Sequence, residues 1–106
     1  MGQIIAGYWK FVGLQKEAVE AVATDLANGH DGERFKRILV KGAGDNSWQI
    51  VFEYLPPDNS CRAFNKFMHK KNQEFVKRFG TREHGGKTYP KNVSGWSISS
   101  NVSIIK

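Results

Sequence analysis

Arg62, Lys66, Lys70 and Lys77 recur at spacings of four, four and seven residues, which places their side chains on one face of an α-helix. Arg82, Lys87 and Lys91 continue the series beyond it. Cations held in such a row neutralise a phosphate backbone and release its counterions. His69 on the same face adds charge as pH falls. Residues 58–91 hold nine Lys/Arg against three acids, a surplus equal to the formal net charge of +6 of the whole chain; seven bases and seven acids are left for the rest. Alternating signs would stabilise a solvated helix through i,i+4 pairs, but here Glu74 is isolated among cations. The plain alternative is a solvated face without a partner. Residues 81–95 interleave Arg82, His84, Lys87 and Lys91 with Tyr89, a mixture that can hold a single strand by ion pairing and stacking. Gly85-Gly86 there would let backbone amides approach a phosphate, although glycines more often serve turns. This segment shows neither helical nor strand period, so a long loop is expected, either functional or a mobile connector.

Other chemistries find little support. His30, His69 and His84 have no neighbours at metal-ligand spacing. Asp31 and Glu33 beside His30 read as turn residues. No Ser/His/Asp or Cys/His set can be argued from proximity, and Cys61 falls on the apolar side of its helix, as a packing residue. Gly42-Ala43-Gly44 resembles the start of a dinucleotide fingerprint, but it lies between two strands and lacks the third glycine. A hairpin turn is the better reading. No catalytic residue, cofactor or metal is expected.

These residues need elements to position them. Gln3–Val12 is rich in β-branched and aromatic residues and stops at Gly13, as a strand would. From Leu14 to Ala27, Ala18, Val19, Val22 and Leu26 share one face and Lys16, Glu17, Glu20 and Thr24 the other, an amphipathic helix stopped in left-handed fashion at Asn28-Gly29. Phe35–Lys41 and Trp48–Leu55 read as a hairpin around Gly42–Asn46. Pro56-Pro57 ends it, and Asp58, Asn59 or Ser60 can cap a helix beginning near Cys61. On that helix Cys61, Phe64, Met68, Phe75 and Phe79 oppose the basic row, and Gly80 ends it. Trp96, Ile98, Val102 and Ile104 alternate with Ser97, Ser99, Asn101 and Ser103 in a last strand with one wet face.

The order β-α-β-β-α-β within one domain of 106 residues predicts an α+β, ferredoxin-like fold, a four-stranded antiparallel sheet with two helices on one face. Strands one and three would be central. On the third strand, burying Glu53 unpaired would cost several kcal/mol. The row Trp48, Ile50, Phe52 and Tyr54 should therefore meet the helices, with Trp96, Ile98 and Ile104. Glu53, Ser97, Ser99, Asn101 and Ser103 would line the free face.

The RNA-recognition motif shares this element order and stacks bases on exposed sheet aromatics. Ser47-Trp48-Gln49-Ile50-Val51-Phe52-Glu53-Tyr54 resembles its third-strand signature only at the closing apolar-aromatic positions, and the opening Lys-Gly is absent. Acylphosphatases share the fold too, but Ala6-Gly7-Tyr8-Trp9-Lys10 offers no counterpart to their Arg-bearing phosphate loop. Neither family is assigned.

The single Cys61 precludes an internal disulfide and fits a reducing compartment. No apolar run approaches about 18 residues, and the start of the chain lacks a signal-like apolar region. A cytoplasmic protein is expected. The reading that follows is a small basic non-enzymatic module contacting nucleic acid through the second helix and loop 81–95, with Arg62, Lys66, His69, Lys70, Lys77, Arg82, Lys87, Tyr89 and Lys91 as contacts. The alternative is a protein-binding adaptor or inhibitor docking on an acidic surface, possible also as a homo-oligomer.

Overall fold

The computed structural model describes residues 3–29, 32–56 and 61–103. The expected capping by Asp58, Asn59 or Ser60, the turn at His30-Asp31 and the inward place of Ile104 lie outside them. So do the side chains of Cys61, Trp96, Ile98, Ser97, Ser99, Asn101 and Ser103. The chain runs through β1 (Gln3–Val12), α1 (Lys16–Asn28), a 3-10 turn (Gly32–Arg34), β2 (Phe35–Gly42), β3 (Ser47–Tyr54), α2 (Cys61–Phe79), β4 (Thr81–His84), β5 (Lys87–Pro90) and β6 (Val93–Ser103). It is an α+β structure with two α-helices against a four-stranded sheet in the order β2-β3-β1-β6, every pairing antiparallel.

One sheet face and both helices form the core. Ile5, Trp9 and Phe11 of β1 alternate inward beside Ile50, Phe52 and Tyr54 of β3. Over them lie Val19, Val22, Ala23 and Leu26 of α1 and Phe64, Phe67, Met68 and Phe75 of α2. The aromatic row of β3 thus meets the helices, with Trp48 half-buried at its end. Rings interlock in preferred tilted and edge-on geometries: Trp9 to Phe52 at 4.7 Å, Trp9 to Phe75 at 5.7 Å, and Tyr54 stacked on Phe67 at 4.6 Å. Phe67 falls outside the narrow sector that sequence periodicity assigns to the core, because a helix lying over a sheet buries a stripe wider than about 100°.

Three details depart from or add to the sequence reading. Gly29 is extended (φ −78°, ψ −176°) rather than left-handed, and its N–H closes on Leu26 O at 3.4 Å. The chain can turn there without positive φ because Gly32 tucks its backbone beneath the helix end; a Cβ on Gly32 would lie 2.0 Å from Ala27 O. Second, the β2–β3 ladder slips between Phe35 and Arg37. The slip sets Phe35 opposite Tyr54 and Ile38 opposite Phe52 on the core side, so Arg37 is left outward opposite Glu53. Third, residues 81–95 are not a loop. They form the hairpin β4–β5, a second two-stranded sheet, and the start of β6.

Candidate functional site

The basic row of α2 is where its spacing predicts. Phe64, Met68 and Phe75 anchor the opposite side in the core, which turns Arg62, Lys66, His69, Lys70, Gln73 and Lys77 to solvent. Arg62, Asn65, Lys66, His69, Lys70 and Gln73 line one open groove of about 560 Å³. His69 and Gln73, one turn apart, bring Nε2 to Nε2 at 3.4 Å along its floor. Lys77 continues the exposed face but does not line the groove.

Not every cation of the helix is available. Lys71 Nζ pairs with Glu74 Oε2 at 3.0 Å, lies 5.5 Å from the Phe67 ring and leaves its side chain only 14% exposed. Arg78 donates to Asp25 of α1. Both close the seam between the helices, beside Val22, Leu26 and Phe75. Acids therefore sit on the seam, while the outer row is cationic with none interspersed.

The hairpin follows because Gly80 leaves α2 with φ +88°, its N–H still bonded to Val76 O at 2.8 Å. Gly85 and Gly86, with φ +61° and +79°, make the two-residue turn whose twist suits tightly paired strands. Lys91 N–H closes the base of the hairpin on Gly80 O at 2.9 Å. The register sets Arg82 opposite Tyr89 and His84 opposite Lys87. Alternation therefore puts these four side chains on one face, with Thr81, Glu83 and Thr88 on the other, while Pro90 at the end of β5 is buried at the edge of the same cleft.

That face opens on a cleft of about 710 Å³ against α2 and the start of β6, lined by Asn72, Arg82, His84, Lys87, Tyr89, Pro90, Val93 and Ser94. Arg82 is fixed within it: its guanidinium carbon lies 5.1 Å from the centre of the Tyr89 ring, and Nη2 donates to Val93 O at 2.9 Å. A guanidinium has five N–H donors in a rigid fork, so donors remain for an anion after that bond. Glu83, the one acid of the hairpin, faces away from this cleft.

Of the residues expected from sequence, the structure gathers Arg62, Lys66, His69 and Lys70 in the groove and Arg82, Lys87 and Tyr89 in the cleft. Lys91 is exposed in the turn after β5 and joins neither. His84, named with the basic residues of 81–95, joins the cleft as well, together with Asn72 and Ser94, which the sequence does not single out. His84 is foretold by alternation through Gly85-Gly86; Asn72 and Ser94 join only because the hairpin folds against α2. Among the described residues, no helix is long and apolar enough to cross a membrane, and no three His, Cys, Asp or Glu side chains gather as metal ligands would.

The opposite sheet face carries a different surface. Tyr8, Val51 and Leu39 lie side by side across β1, β3 and β2, with Ala6, Glu53 and Arg37 on one flank and Lys10, Gln49 and Lys41 on the other. Part of it forms a shallow depression of about 340 Å³. No protein-family model, no curated protein and no solved structure matches this chain.

Proposed function

We propose that this chain is a non-enzymatic module of ferredoxin-like type, acting in the cytoplasm, that binds nucleic acid through α2 and the β4–β5 hairpin. The ferredoxin-like reading draws support from the sheet order β2-β3-β1-β6, with β1 and β3 central and both helices on one face; the small hairpin is then an insertion before the last strand. The observation that carries the functional reading is the cleft in which Arg82, His84, Lys87 and Tyr89 converge beside the groove of Arg62, Lys66, His69 and Lys70. Together they offer cations without interspersed acids and an exposed ring, the combination suited to a phosphate backbone with stackable bases.

Reversing Arg62, Lys66, Lys70 and Lys77 to Glu tests it. All four are exposed, so the circular dichroism spectrum should be unchanged while oligonucleotide binding is lost. Unchanged binding by that variant would refute the reading. A second reading is an adaptor that docks the same basic face on an acidic protein surface; a homo-oligomer instead draws on the row Tyr8, Val51 and Leu39, apolar surface on the sheet face away from the two helices. Light scattering across protein concentration tests self-association, and a nuclease-resistant pull-down of one stoichiometric acidic protein would favour the adaptor.

A further inference from the structure

We infer that the hairpin cleft accepts an unpaired nucleotide, so that the module selects single-stranded over duplex nucleic acid. The inference rests on the proposed nucleic-acid reading and deepens it, because a row of surface cations alone would serve either form.

Three features of the cleft distinguish it from the groove on α2. It is a half-open cleft of about 710 Å³, with room for a nucleobase between the hairpin and the other wall. It contains a shelf of two stacked groups: the Arg82 guanidinium carbon lies over the Tyr89 ring, 5.1 Å from its centre, and Tyr89 is still 36% exposed. Its donors are arranged around that shelf rather than along a line. Arg82 is held by Val93 O and keeps donors to spare, His84 and Lys87 stand two register steps further along the hairpin on the same face, and Asn72 and Ser94 supply an amide and a hydroxyl from the other wall.

A base laid on the shelf stacks on a ring or a guanidinium, both of which favour any nucleobase face. Its phosphate is then within the domain of Lys87, His84 and the free donors of Arg82. Bases inside a duplex present only their edges, so they cannot occupy such a shelf without being extruded. Affinity for duplex would come from the outer row of α2 alone. Stacking is sequence-tolerant, and the cleft should discriminate strandedness far more than sequence.

The test is fluorescence anisotropy with a labelled single-stranded oligonucleotide and the same oligonucleotide annealed to its complement, at one fixed salt concentration. The wild type should prefer the single strand. In Tyr89→Ala the ratio of single-strand to duplex affinity should fall about tenfold, the scale of one lost base stack. Tyr89→Phe retains the ring and should preserve the ratio, which separates stacking from any loss of fold. Equal affinity for both forms, or a ratio unmoved by Tyr89→Ala, would overturn the inference while leaving a charge-based nucleic-acid surface in place. Absence of binding to either form would overturn both.

Discussion

The cations of α2 divide into two classes that composition alone cannot separate. Lys71, largely covered, and Arg78, still 40% exposed, are paired with Glu74 and Asp25 on the inter-helix seam, whereas Lys66, Lys70 and Lys77 face solvent. We therefore expect Lys70→Ala to weaken nucleic-acid binding and to reduce the slope of log affinity against log salt by about 0.7 to 0.9, one phosphate contact. Lys71→Ala should leave that slope unchanged; an equal effect of the two would show that the seam cations also reach the ligand. Inside the fold, Phe52 is fully buried between Trp9, Phe35 and Phe64. Phe52→Ala should cost about 3–5 kcal/mol in urea unfolding, lost contacts plus a cavity. Gly32→Ala should cost about 2 kcal/mol through overpacking against the Ala27 carbonyl, measurable in the same way.

At the scale of elements, the long segments with a clear period were legible. The amphipathic α2 and the alternating β3 each place large apolar residues at their own repeat, and burying a single charged Glu53 is costly enough to fix which face turns inward. The hairpin at 81–90 was not legible as structure. Its strands are four residues each, too short to display a period, and polar residues occupy both faces: Arg82, His84, Lys87 and Tyr89 against Thr81, Glu83 and Thr88. The informative signal is Gly85-Gly86, whose preference for turns is visible in the sequence, but without strand periods on either side it does not mark a hairpin. The slip at Lys36 left no sequence mark either, since it answers to packing of Phe35 on Tyr54 and Phe67. If the hairpin assembles the cleft, Gly86→Ala should strain the turn at φ +79° by about 1–2 kcal/mol. Single-strand affinity should then fall although no contacting side chain has changed, and an unaltered affinity would count against the hairpin as an organising element.

For the whole molecule, the cationic helix row and hairpin lie away from the open sheet face, where a short apolar row runs between charged flanks. The helical layer carries the cationic groove and adjoining cleft, and the open sheet face carries Tyr8, Val51 and Leu39 between mixed polar flanks. The surplus of +6 within residues 58–91 is legible in the sequence; its distribution over one groove and one cleft depends on which cations pair at the helix seam. The most direct measurement is the amide chemical-shift map of 15N-labelled protein titrated with a single-stranded oligonucleotide. Shifts confined to the exposed turns of α2 and to residues 81–94 are predicted, with Tyr8, Leu39 and Val51 unmoved. Shifts centred on Tyr8, Leu39 and Val51 instead would place the ligand on the open sheet face and contradict the account.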